Sequence, residues 1–222
     1  MKFNREFANQ IIDDLINCVD TASKEIMQIY NSDNFETSDK ADGSPLTLAD
    51  KASNQIITEG LKKITPDIAV ISEETFEDTI LKALPNLYWL VDPLDGTREF
   101  INKNDEFTVN IALIEDRKPV FGIVAAPVFE KCWHGSIFDN YHSDKSIPDV
   151  LRIVMSKSHK SDNDKSFLNY LNEKGVNYKI IEKGSSLKLC AIADNEADIY
   201  PRFGPTSESV SYTHLTLPTS LA

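Results

Sequence analysis

An apolar run that ends in two closely spaced aspartates constrains the fold of this chain more than any other feature. Residues 87–91, Leu-Tyr-Trp-Leu-Val, predict a buried strand. Asp92 and Asp95 follow, with Pro93 between them and a Gly-Thr pair directly after. Because proline cannot donate to a sheet ladder, we expect the strand to end at Pro93 and the chain to turn there. The two carboxylates and the Leu94 carbonyl would then surround one small volume at the carboxyl end of a strand, where open α/β sheets bind ligands.

A second acidic cluster follows another short apolar run. Residues 68–71 predict a strand, and Glu73 and Glu74 come just after it. Crowded carboxylates repel one another unless a cation lies between them, so Glu73, Asp92 and Asp95 together indicate a divalent metal site. Hard oxygen ligands favour Mg²⁺ over zinc. Taken one at a time, the two clusters are also compatible with a helix-capping turn and a solvated strand end.

The composition narrows the class of protein. The chain has 222 residues, enough for one domain or two small ones, and its net charge is −12. This negative charge argues against a general nucleic-acid binder, since such proteins need a positive surface. The amino terminus has no signal-peptide pattern, and the longest apolar run, residues 123–129, is far shorter than a membrane span. We therefore predict a cytoplasmic protein without a transmembrane segment, either free or peripheral at the inner membrane.

The order of the predicted elements indicates a layered α+β and α/β sandwich. Two amphipathic helices come first, and Thr47 caps the second of them in a capping box with Asp50. Three strands over residues 107–138 predict an antiparallel meander, and strands then alternate with helices from residue 153 onwards. We predict three segments: an N-terminal α+β subdomain that holds the metal site, an incomplete C-terminal α/β subdomain, and a tail, at residues 1–145, 146–208 and 209–222.

Several of these motifs resemble one known family. Residues 89–100, Trp-Leu-Val-Asp-Pro-Leu-Asp-Gly-Thr-Arg-Glu-Phe, closely resemble the signature of the inositol monophosphatase-like phosphatases, which are magnesium-dependent and lithium-sensitive, and Ser72-Glu73-Glu74 matches their acidic pair. Four further segments are similar to the 3'(2'),5'-bisphosphate nucleotidases of the CysQ type. These are residues 44–50, 106–114, 184–188 and 200–206.

The resemblance implies removal of the 3'-phosphate of adenosine 3',5'-bisphosphate, or of its sulfated form, in two-metal chemistry with Mg²⁺. Glu73, Asp92 and the Leu94 carbonyl would hold one ion, and Asp92 and Asp95 the second. Thr97, aided by Asp50 or Glu73, would orient the attacking water. The implied substrate-binding residues are Lys40, Glu73, Leu94, Asp95, Gly96, Thr97, Ser185, Ser186, Lys188 and Arg202.

The chain departs from the family after residue 206. The family continues with a Trp-Asp pair whose aspartate completes the second metal site, whereas here Ser207-Glu208-Ser209-Val210 leads into a tail without family character. From the sequence we expect a chain that is truncated at its C-terminus. Two alternatives stay open: an inositol-type monophosphatase, and an inactive remnant that only binds metal or nucleotide. The sequence leaves the oligomeric state open.

Overall fold

The computed structural model describes residues 2–32, 36–39, 45–75, 84–139, 148–157 and 161–203. The helices are α1 (Arg5–Asn31), α2 (Leu48–Ile64), α3 (Thr97–Ile101), α4 (Asp162–Glu173) and α5 (Leu187–Ala193). The strands are β1 (Ser38–Asp39), β2 (Pro45–Leu46), β3 (Ala69–Ser72), β4 (Leu87–Asp95), β5 (Thr108–Glu115), β6 (Lys118–Ala126), β7 (Lys131–Ser136), β8 (Leu151–Ser156) and β9 (Tyr178–Lys183). Short 3₁₀ turns follow β3 and β6.

The two long N-terminal helices form where the apolar period predicts them. Asn4 caps α1 by accepting a hydrogen bond from the Phe7 amide at 2.8 Å. Thr47 and Asp50 form the predicted capping box at the start of α2. The residues of α1 that recur every three or four positions are buried: Ala8, Ile11, Leu15, Val19, Ala22, Ile26 and Ile29.

Strands β3 to β7 form one mixed sheet in sequence order. β3 runs parallel to β4, and every later neighbour is antiparallel, which confirms the predicted meander. The main core joins α1 and α2 to this sheet, with Trp89, Val91, Ile111 and Phe121 among its buried members. The helices thus form a layer on one sheet. This confirms the predicted α+β arrangement.

The prediction that β4 ends at Pro93 is wrong. The strand continues to Asp95, and its register with β5 shifts between Asp92 and Asp95. Pro93 lies within this irregularity, so its missing N–H leaves no ladder hydrogen bond unmade. Its carbonyl instead accepts a hydrogen bond from Ser53 Oγ on α2 at 2.7 Å. The irregular end of β4 is thus tied to the second helix.

The C-terminal part contains a parallel pair of strands, β8 and β9, joined through α4. Residues 197–200, which were expected to form a further strand, make only a single parallel bridge between Ile153 and Ile199. The expected boundary between residues 145 and 146, and the tail from 209 to 222, lie outside the described residues. Across the described ranges, no helix combines the length and the apolar character that a bilayer crossing needs.

Candidate active site

The carboxyl ends of β3 and β4 lie side by side. The register pairs Ser72 with Val91, so that Glu73 and Asp92 each occupy the next position along neighbouring parallel strands. Glu73 opens a 3₁₀ turn and is exposed, whereas Asp92 is only 3% exposed. The structure therefore brings together the backbone of the two acidic clusters that the sequence singles out. Neighbouring parallel strand ends are a common ligand position in open sheets.

Asp50 connects the start of α2 to the turn after β4. Its Oδ2 atom accepts hydrogen bonds from the Thr47 amide at 2.7 Å and the Thr47 hydroxyl at 2.5 Å. Its Oδ1 atom accepts a hydrogen bond from the Thr97 hydroxyl at 3.2 Å. Thr97 Oγ1 also lies 3.3 Å from the Leu94 carbonyl oxygen. Asp50 is fully buried, so it caps the helix with one oxygen and contacts Thr97 with the other.

Gly96 permits a tight turn between β4 and α3. Its φ of +92° is in the left-handed region, which favours glycine. A Cβ atom at this position would lie 3.0 Å from the Ser185 Cβ and 3.1 Å from the Glu106 carbonyl oxygen. The turn that carries Thr97 is therefore in close contact with a segment almost ninety residues later in the chain.

That later segment is Gly184–Ser186, which we call the serine loop. Asp95 holds it, because Asp95 Oδ2 accepts hydrogen bonds from the Ser185 hydroxyl at 2.7 Å and from the Ser186 amide at 2.6 Å. Thr108 Oγ1 lies 2.5 Å from Ser186 Oγ, which donates to Asn110 Oδ1 at 3.1 Å. Thr108 and Asn110 are fully buried, and their polar side chains are satisfied through this network.

The sequence reasoning did not single out Thr108, Asn110 or Glu106 as site residues. The two buried polar side chains alternate along an otherwise apolar strand, and this alternation is the signal that could have found them. Glu106 lies two residues before that strand and carries no such pattern.

Two positively charged side chains, those of Lys188 and Arg202, follow the serine loop in the chain. Lys188 is only 6% exposed, and its Nζ donates to the Ser185 carbonyl oxygen. Burial lowers the pKa of Lys188, although the negative charge of Asp95 acts in the opposite direction. Arg202 is exposed, donates to the Tyr200 hydroxyl at 3.3 Å, and contributes to the lowered pKa of Lys188 through repulsion. Lys40 lies outside the described residues.

The donor chemistry at the strand ends fits a hard divalent cation. Glu73 and Asp92 supply carboxylates, Leu94 supplies a carbonyl, and zinc-type sulfur or imidazole ligands are missing from these positions. The Ser72 hydroxyl beside them is buried and has no hydrogen-bond partner among the described residues. Within those same residues, no three His, Cys, Asp or Glu side chains converge on one point. The Asp95 Oδ2 atom is directed at the serine loop, from which it accepts two hydrogen bonds.

Comparisons with known proteins find relatives that cover most of the chain. The model of the inositol monophosphatase family matches residues 8–210. The 3'(2'),5'-bisphosphate nucleotidase CysQ of Salmonella typhimurium is 42% identical over 195 residues, which are 84% of this chain and 78% of that protein. CysQ of Escherichia coli K12 is 38% identical over 206 residues, 89% of this chain and 82% of that protein. A crystal structure of CysQ from Bacteroides thetaiotaomicron, a bacterial member of the inositol monophosphatase family, has a TM-score of 0.76 at 31% identity, covering 90% of this chain and 82% of that one.

Proposed function

This chain belongs to the inositol monophosphatase family, and we propose that it is a 3'(2'),5'-bisphosphate nucleotidase whose reaction takes place at the carboxyl end of β4. One observation carries the proposal: the chain is 42% identical to a bisphosphate nucleotidase over 78% of that enzyme's length. The contact between Asp50 and Thr97, beside the ends of β3 and β4, supports the location. The substrate would be a phosphorylated small molecule, adenosine 3',5'-bisphosphate or its sulfated form.

The reaction is hydrolysis of a phosphoric monoester. A bond forms between the water oxygen and phosphorus, and the bond from phosphorus to the 3' oxygen breaks. The 3' oxygen leaves with a proton, so that the products are AMP and inorganic phosphate. Such a step needs a group that positions the water and a set of cations that stabilises the charge on phosphorus.

Asp50 and Thr97 are the groups that we assign to the water. The Thr97 hydroxyl donates its hydrogen to Asp50, so its lone pairs are free to accept a hydrogen from water. Asp50 is itself fixed by two hydrogen bonds from Thr47, which restrict the rotation of its carboxylate. The pair would therefore accept a hydrogen bond from the attacking water at the Thr97 hydroxyl. We propose that the carboxylate of Glu73 also helps to orient this water.

The strand ends would hold the cations. Glu73, Asp92 and the Leu94 carbonyl are proposed as ligands of one Mg²⁺, and Asp92 and Asp95 as ligands of a second. When bound, a divalent cation supplies Lewis-acid polarisation of the phosphoryl oxygens. Hydrogen bonds from the serine loop fix the orientation of the Asp95 carboxylate. The oxygen-only donor set is the reason for proposing Mg²⁺.

The substrate phosphates would lie beside the Gly96 turn, at the carboxyl end of β4. We propose that the amides of Gly96 and Thr97 contact the transferred phosphate, because this turn directly follows the carboxyl end of β4, where the proposed metal ligands lie. Nucleotide contacts are assigned to the serine loop together with Lys188 and Arg202. The planar guanidinium of Arg202 suits a second phosphate group. Lys40 remains a prediction from the sequence.

The test measures inorganic phosphate released from adenosine 3',5'-bisphosphate and from inositol 1-phosphate with Mg²⁺ present. We expect the nucleotide to be the better substrate, and the variant Asp92→Asn to lose the reaction. Preferential release from inositol 1-phosphate would replace the proposal with an inositol-type monophosphatase. No release from either substrate would refute it in favour of a chain that only binds its ligands.

A further inference from the structure

We propose that Glu106 is a positioning residue that holds the serine loop in place for the nucleotide. The inference rests on the proposed function of that loop and extends it to a residue that does not itself contact the substrate. Glu106 lies just before β5, between the turn that carries Gly96 and the serine loop.

The side chain of Glu106 joins two separate segments of the C-terminal part. Its Oε2 atom accepts a hydrogen bond from the Gly184 amide at 2.9 Å. Its Oε1 atom accepts a hydrogen bond from Lys157 Nζ, also at 2.9 Å, just after the end of β8. The Glu106 side chain is 13% exposed, so its hydrogen bond from the Gly184 amide is partly shielded from water, whereas Lys157 is 45% exposed and the ion pair lies at the surface. A hydrogen bond from a backbone amide to a shielded carboxylate is among the stronger ones.

The packing around Glu106 leaves little freedom for the loop. A Cβ atom at Gly184 would lie 2.9 Å from Glu106 Oε2 and 3.1 Å from Glu106 Cβ. A Cβ at Gly96 would lie 3.1 Å from the Glu106 carbonyl oxygen. Glycine at both positions therefore allows the two site segments to approach Glu106 closely. One residue thus contacts the turn proposed to bind phosphate and the loop proposed to bind the nucleotide.

Charge makes direct substrate binding by Glu106 unfavourable. The carboxylate of Glu106 would repel the phosphates of a bisphosphate. It is already paired with Lys157. The loop has other anchors, because Asp95 and Thr108 hold Ser185 and Ser186. Glu106 is the anchor at the amino end of the loop. Its loss would release that end while leaving the hydrogen bond between Asp50 and Thr97 intact.

The test compares three variants of the full chain with the wild type. Glu106→Ala removes the acceptor of the Gly184 amide. Glu106→Gln keeps a side-chain oxygen that can accept the same hydrogen bond. Glu115→Ala is the matched control: Glu115 ends β5 and accepts a hydrogen bond from the Phe3 amide at 2.9 Å, outside the proposed site. The readouts are KM and kcat for adenosine 3',5'-bisphosphate, and hydrogen exchange of the backbone amides of residues 184–190.

We expect Glu106→Ala to raise KM about tenfold and to change kcat less than about twofold, because the variant loses a charged acceptor that holds the binding loop and keeps the contact between Asp50 and Thr97. Glu106→Gln should restore KM to within about threefold of the wild type, and Glu115→Ala should leave KM unchanged. Equal KM values for Glu106→Ala and Glu115→Ala would overturn the inference. So would a loss confined to kcat, or a glutamine variant as impaired as the alanine variant.

Hydrogen exchange separates this inference from the proposed function. If the wild-type chain releases no phosphate from the nucleotide, the proposed function fails, and the exchange of the loop amides still decides the role of Glu106. Faster exchange in Glu106→Ala than in Glu115→Ala would support the positioning role. Equal exchange in the two variants would overturn it.

Discussion

Replacing Thr97 by valine separates catalysis from folding at the proposed site. The change removes a hydroxyl that donates to Asp50 Oδ1 at 3.2 Å and replaces it by a methyl group of similar size. Asp50 keeps both hydrogen bonds from Thr47, so its buried carboxylate stays paired. The free energy of unfolding should fall by about 1.5–3 kcal/mol, the usual value of one hydrogen bond to a charged group.

The expected effect on the reaction is larger. Positioned groups that move or hold a proton contribute roughly a hundredfold to ten-thousandfold to a rate. The barrier should thus rise by about 3–5 kcal/mol, with kcat falling and KM nearly constant, since the hydroxyl acts on water rather than on the nucleotide.

The assay is release of inorganic phosphate from adenosine 3',5'-bisphosphate, with denaturant unfolding measured on the same samples. Thr58→Val is the matched control, because the Thr58 hydroxyl donates to the Asn54 carbonyl oxygen at 2.7 Å in the same helix that presents Asp50, and Thr58 is partly buried. A Thr97→Val variant whose kcat stays within about threefold of that of Thr58→Val would refute the assignment of Thr97 to the water.

Two further predictions concern the framework around the site. Gly60→Ala should lower the free energy of unfolding by about 1–3 kcal/mol, because the new methyl group would overlap Cys18 Sγ between α1 and α2. Denaturant unfolding should show most of this cost removed in the double variant with Cys18→Ala, and an equal cost in both backgrounds would contradict the explanation. Burial and the hydrogen bond to Asp105 raise the pKa of Tyr30 from 10.0 to about 12, so its contribution to stability is complete below pH 10 and is lost as the pH rises towards 12. Tyr30→Phe should remove this loss from unfolding curves measured across that range, and parallel curves for the two proteins would count against it.

Much of the fold could be predicted from local patterns. The apolar period of α1 and the capping box at Thr47 are set by residues within a few positions of one another, so short-range rules are sufficient. The meander was predictable for the same reason. Pro93 was predicted to end β4 because proline blocks a regular ladder, but a local register shift removes the need for its N–H. Sequence patterns do not indicate where such a shift occurs.

The arrangement of the site depends on contacts that no short-range pattern contains. Asp95 was predicted as a metal ligand, yet one of its oxygens accepts hydrogen bonds from a loop some ninety residues later. Glu106 contacts Gly184 across 78 positions, a pairing that no local pattern indicates. Both interactions follow from how the C-terminal segments pack on the sheet. The sequence therefore identified the residue types at the strand ends, whereas the partners of those residues required the three-dimensional structure.

The most direct test of a metal site at the carboxyl end of β4 is the position of Mn²⁺ in crystals of the chain, located by its anomalous scattering. Mn²⁺ takes the same oxygen ligands as Mg²⁺ and is readily distinguished from water by this signal. We predict a peak within bonding distance of the Asp92 carboxylate, with Glu73 or the Leu94 carbonyl as a second ligand, and no such peak in Asp92→Asn. A peak bound elsewhere, or an unchanged peak in Asp92→Asn, would contradict a catalytic metal site at these strand ends.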